Sequence, residues 1–157
     1  MSALPQLLTG EGAYAKARNI LENIELSQLG VRPDVAPHSI YEELWHAVWW
    51  QDLFLEAIEG GERSTPPHAS DTWPEQQAPK DLKEARELVR SFLEGINRAV
   101  AYASDAEQLD ESATGGKSTV RSLLESLLAH NSYHLGKIVL LRQLIGIWPP
   151  PSGGDTW

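Results

Sequence analysis

Cysteine is absent from this chain of 157 residues. That excludes a disulfide scaffold, a zinc ribbon, an iron–sulfur cluster and a cysteine nucleophile together. Basic residues are sparse: 13 Lys and Arg stand against 22 Asp and Glu, for a net charge of −9. Such a surface repels phosphate backbones and anionic lipid, so neither nucleic acid nor a membrane is an expected partner. No run approaches the ~20 apolar residues that a membrane helix needs. The opening MSALPQLLTGEG lacks the basic and apolar regions of a signal peptide. A cytoplasmic location is the expectation. No segment alternates apolar and polar residues for long enough to predict a sheet. Phosphate-binding and nucleophile-elbow glycine motifs are missing as well.

The composition is that of an ordinary globular chain, with 41% hydrophobic and 22% charged residues. Its length predicts a single domain over residues 1–157. Ten prolines punctuate it at 5, 33, 37, 66, 67, 74, 79 and 149–151, leaving stretches free to be helical. Four helical segments result. The first, Gly12 to Leu29, carries Ala13, Ala17, Leu21 and Ile24 at three-and-four spacing. The second begins at Ser39, with Glu42 completing a capping box, and ends at Gly60-Gly61. The third begins at Asp81, with Glu84 in the same relation, and carries Ala85, Val89, Phe92, Ile96, Val100 and Ala103. The fourth follows Gly115-Gly116, with Ser118 as its expected N-cap, and runs to about Gly146. The expected fold is all-α, a four-helix bundle. The Gly60–Pro79 connection is long enough to return along a ~30 Å helix, so the second and third helices can run parallel, joined by a crossover.

The fourth segment carries an anomaly. Its apolar stripe reads Val120, Leu123, Leu127, His130, His134, Ile138 and Leu141, so two core-facing positions one turn apart hold histidine. Two unpaired imidazoles in a dry core are costly. An i, i+4 pair places two ring nitrogens close enough to share a metal ion, and His46 on the second helix offers a third, although another residue of that helix could serve instead. Three neutral imidazoles suit zinc, nickel or iron rather than magnesium or calcium, and a three-ligand site leaves room for water or substrate. A buried imidazole network without metal is the competing reading. Asn131 follows His130 where a zinc peptidase carries its glutamate base. Only one Glu-x-x-His, ending at His46, is present where a di-iron bundle needs two. His38 and His68 are expected to be solvated loop residues.

PHSIYEELWHAVWWQDL (residues 37–53) and LLAHNSYHLGKIVLLRQLIGIWP (residues 127–149) resemble the two signature segments of the DinB-like family of metalloenzymes. The Leu-Leu-x-Gly-x-Gly opening from Leu7, the Trp73-Pro74 pair and the Asp110 segment add to the likeness. The resemblance implies an up-down-down-up bundle and a divalent metal, zinc or nickel, held by His46, His130 and His134. It also implies a small-molecule substrate and, by analogy with thiol-dependent transferases and isomerases, a low-molecular-weight thiol cosubstrate. Lys137 departs from the glutamine expected after His-Leu-Gly.

Two classes of function follow. One is a metal-dependent enzyme, a thiol S-transferase, isomerase or hydrolase, for which Glu43 and Tyr133 are the nearest candidate bases. The other is a non-catalytic bundle that binds a metal or small ligand. Glu43, one turn before His46, either orients that ring or stands as a solvated helix charge, the latter taken as the default. Aromatics at the spacing of Trp45, Trp49 and Trp50 read as core or subunit interface; for Trp50, one turn beyond His46, the wall of a substrate pocket is the alternative. Trp45, Trp49 and Trp50 crowd one helix, so aromatic surface is expected outside the core and a homodimer with it.

Overall fold

The computed structural model describes residues 3–11, 13–62 and 64–153. Among these the chain is helical, without strands; one isolated bridge joins Ser112 and Thr119. Six α-helices follow in order: α1 (Leu4–Thr9), α2 (Ala17–Ile20), α3 (Leu26–Leu29), α4 (Ile40–Ile58), α5 (Leu82–Ser104) and α6 (Val120–Leu144). No helix among the described residues is long and apolar enough to cross a membrane.

The three long helices begin close to where their caps predict. Ser39 Oγ accepts from the Glu42 amide, and the Glu42 carboxylate accepts from the Ser39 amide at 2.7 Å, closing the capping box of α4. Asp81 caps α5 through the Glu84 amide, but Glu84 accepts from the Lys80 amide and the Tyr41 hydroxyl, so that box is only half built. Thr119, not Ser118, caps α6; its hydroxyl accepts from the Ser122 amide.

The first segment is corrected more deeply. It is not one helix but the short helices α2 and α3, with α1 ahead of them, and Gly12 lies outside the described residues. Asn23 adopts φ 48°, a left-handed conformation that asparagine tolerates but a helix does not. Glu25 and Gln28 then form a fresh capping box for α3. Ala17 and Leu21 are buried, whereas Ala13 is exposed.

Side-chain contacts give the directions of the long helices. Tyr41 meets Glu84, Gln51 meets Phe92 and Glu59 meets Arg98, so α4 and α5 run parallel, as the long connection allows. Glu43 meets Lys137 and Gln51 meets Asn131, so α6 runs antiparallel to α4. Gln51 is fully buried, and a Cβ on Gly95 would sit 1.8 Å from its Nε2. Only glycine there lets the amide reach the Phe92 carbonyl. One apolar cluster centres on Ile20, Leu44, Phe92, Leu135 and Ile138, the other on Leu55, Leu109, Leu124 and Leu127. Arg142, 1% exposed, ties α6 to the flanking segments by donating to the carbonyls of Ile20 and Ile147.

Candidate metal centre

The antiparallel α4–α6 pair brings His46 opposite His130 and His134. The ring centroids lie 5.2 Å (His46–His130), 4.7 Å (His46–His134) and 4.4 Å (His130–His134) apart. One ligand atom from each falls within 4.8 Å of the other two. His46 and His134 are buried and His130 is half-buried. All three face a cavity of about 590 Å³, which Trp50, Phe54, Trp73, Tyr133 and Lys137 also line.

Two of the rings are held through Nδ1. His46 Nδ1 is 2.8 Å from the Thr72 carbonyl, which fixes it as the donor and leaves Nε2 free of its proton. Thr72 lies in the 3-10 turn Ala69–Thr72 of the crossover, and its hydroxyl donates to the Ala69 carbonyl. His134 Nδ1 donates to Glu43 Oε2 at 2.6 Å. A ligating histidine is oriented in this way, through its other nitrogen, by a carbonyl or carboxylate. His130 differs: its Nδ1 is buried without a hydrogen-bond partner. A buried orphan nitrogen is unfavourable unless an ion or a water meets it, so the donor set fits a divalent transition metal.

Electrostatics keep the lone pairs available. Burial pushes His46 down to about 4, against a partly offsetting bond to Thr72, and pushes His130 down to about 3, helped by the neighbouring imidazoles. Both rings are therefore neutral at pH 7, the form that ligates. Burial acts to raise the Glu43 carboxyl, but hydrogen bonds from His134 and Lys137 outweigh it and hold the group below its ordinary value.

Glu43 was expected to be a solvated charge or the partner of His46; it is neither. It is 1% exposed and reaches across to α6, where Lys137 Nζ lies 2.5 Å from Oε1. His38 is corrected as well. Instead of standing in solvent it stacks on Trp73 (3.7 Å between centroids), with Nδ1 3.3 Å from Glu43 Oε1. Trp73 also stacks on His46, at 4.0 Å. His68 is exposed and outside the cluster, as expected. Trp50 walls the cavity beside His130, which is the alternative of its two readings rather than core or interface. Thr72 and Trp73 as supports of His46 were missed, because a proline-rich crossover has no periodicity that aims a side chain; the one signal was a tryptophan inside a loop.

Fold and cluster together define a helical protein with three convergent imidazoles on two long antiparallel helices. The family model of the DinB superfamily matches residues 10–138, a span that includes all three. The chain belongs to the DinB superfamily. No curated protein matches its sequence significantly.

Proposed function

We propose that His46, His130 and His134 hold one divalent transition metal, zinc or nickel with iron as the third candidate, and that the protein is a metal-dependent enzyme acting on a small molecule. The observation that carries this reading is the convergence of three ligand atoms within 4.8 Å, from two helices, on a cavity of substrate size. Bound there, the metal supplies Lewis acidity with open coordination positions. The residues around it do the rest. Thr72 and Glu43 fix two of the rings, while Trp50, Phe54 and Trp73 give the cavity an apolar lining.

Thiol-linked transfer or isomerisation is favoured over hydrolysis by a specific feature. Among the described residues no carboxylate lines the cavity, since Glu43 stands behind His134. That leaves Tyr133 and His38 as the groups in its wall, beside the three imidazoles, within reach of a proton to be taken. A thiol cosubstrate arrives with a more acidic proton than water, and a protein without cysteine must take its thiol from solution. The reading includes the single-domain, up-down-down-up four-helix bundle, with residues 4–29 in the place of the first helix. It also includes a cytoplasmic location and a homodimer. For the dimer the warrant moves: Trp45, Trp49 and Trp50 are each half-buried, and the exposed large apolar residues of α6 are Tyr133, Leu140 and Leu144.

Metal analysis of the purified protein and of His130→Ala tests the centre: about one ion per chain is expected in the first and a clear loss in the second. An electrophile panel with several thiols, metal-loaded against metal-free, tests the chemistry. No metal-dependent rate with any pairing would leave the non-catalytic binding bundle as the surviving reading.

A further inference from the structure

The cavity differs in charge from the molecule that contains it. The chain carries a net −9, yet among the described residues no Asp or Glu lines this cavity; beside the imidazoles, His38 included, the charged group in its wall is Lys137. The Lys137 ammonium is not consumed by its ion pair. Glu43 takes one of its three donors, at 2.5 Å, from a position that is 1% exposed, whereas the lysine side chain is 27% exposed. The pair is therefore a dipole whose positive end faces the cavity. The ammonium also lies 5.2 Å from the Tyr133 ring centroid and 5.8 Å from that of Trp73, which keeps it near the wall rather than in open solvent. At the opposite side of the cluster, Trp50 and Phe54 lie 5.6 Å and 6.5 Å from His130 and make an apolar, aromatic wall.

We propose that this cavity selects organic anions: a carboxylate pairs with Lys137 while the apolar or planar remainder packs against Trp50 and Phe54, which sets the reacting atoms between them, at the three imidazoles. The proposal deepens the reading above by naming the substrate class of the same site. It rests on three features that converge. A lone ammonium with free donors faces inward, acidic side chains are excluded from the walls of an acidic protein, and the aromatic wall stands across the imidazoles from the charge. A cavity lined by one sign of charge concentrates ligands of the other. A charge-assisted hydrogen bond inside it also discriminates more strongly than one in water.

The test uses two probes of nearly equal shape, phenylacetate and phenylacetamide, titrated into chelator-treated and zinc-loaded protein. Binding is followed by the change in tryptophan fluorescence, to which Trp50 and Trp73 contribute from the cavity wall. The metal-free protein is expected to prefer the carboxylate by about tenfold. Lys137→Gln should erase that preference, and Lys137→Arg, which keeps a cation beside Glu43, should keep most of it. Equal binding of the two probes by wild type, no binding of either at millimolar concentration, or a preference that survives in Lys137→Gln overturns the proposal. If Lys137→Gln does not fold, the wild-type comparison of the two probes still decides. Because the first arm is metal-free, a protein that prefers phenylacetate but takes up no zinc would sink the metal reading and leave this one standing.

Discussion

Toward the Gly60 end of α4 its seam with α6 is filled by Leu55, Leu124 and Leu127, each no more than 1% exposed. Toward the Ser39 end the same two helices face each other through Glu43, His46, His130, His134 and Lys137. The apolar half contributes to stability in the ordinary way, since burying a leucine side chain is worth roughly 1.5–3 kcal/mol. The polar half gives that up, because buried polar groups cost free energy unless each finds a partner. Here His134 finds its partner within the seam, in Glu43, the crossover brings Thr72 and Trp73 to His46, and the buried Nδ1 of His130 has no hydrogen-bond partner. The helix pair is thus a scaffold at one end and a site at the other. The long crossover belongs to the site, because it holds His46 in place.

The largest expected effect lies in the apolar half. Leu124→Ala removes a fully buried side chain from the cluster that contains Leu55, Leu109 and Leu127. It should cost about 2–5 kcal/mol of stability, read by denaturant unfolding. Metal stoichiometry in the protein that remains folded should be unchanged. A Leu124→Ala variant that lost its metal while staying folded would show that the two halves are not separable.

Next in size is the response of the polar half to pH. His46 and His130 have folded values lowered to about 4 and about 3 from an ordinary 6.5, so between those limits the unfolded chain binds protons that the folded chain refuses. Stability therefore rises with pH through this window. It is fully present above about 6.5 and is lost progressively as pH falls toward 4 and then 3. For the metal-free protein the free energy of unfolding should fall steadily from pH 6.5 downward, by on the order of 2 kcal/mol in all once solvent screening is allowed for, and the melting temperature should fall with it. A flat profile between pH 6.5 and 4.5 would contradict the burial of these rings. The same shifts mean that, at the proposed centre, protons would compete with metal for these two imidazoles at lower pH than for a free imidazole.

The difference between the halves also explains what could be read in the sequence. The long helices were legible because caps and stripes are local. Ser39 with Glu42, Asp81 with Glu84, and the run Ala85, Phe92, Ile96 and Ala103 each declare themselves within one or two turns. The three histidines were legible because an i, i+4 pair on an apolar stripe needs an explanation. The broken region before α4 was not, because three-and-four spacing over Ala13, Ala17, Leu21 and Ile24 hid the left-handed Asn23. The true partner of Glu43 was hidden as well. Its neighbour in sequence is His46, but its partners are His134 and Lys137, which only the packing of α4 on α6 brings to it. Tryptophans 45, 49 and 50 crowd one helix and each stands half-buried, so part of their aromatic surface stays outside the core.

The smallest effect should come from Glu43→Gln, and it sharpens the comparison most. The substitution keeps the shape and keeps an oxygen that accepts from His134 Nδ1, but it removes the charge that polarises the ring and pairs with Lys137. Partners that orient a ligating histidine are typically worth ten- to a hundredfold in metal affinity. Retention of an acceptor puts this change at the lower end, about tenfold or ~1.4 kcal/mol. Lys137, partly exposed, can turn toward solvent once its partner is neutral, so no buried charge is stranded. Competition against a metal chelator of known affinity gives the number directly, with the metal-free melting temperature measured alongside it. Weakened metal binding with a nearly unchanged metal-free melting temperature is the mirror image of Leu124→Ala, which should lose stability and keep its metal. If Glu43→Gln instead unfolded the metal-free chain, Glu43 would be a structural keystone of the α4–α6 seam, and the division into scaffold and site would fail at the residue that joins them.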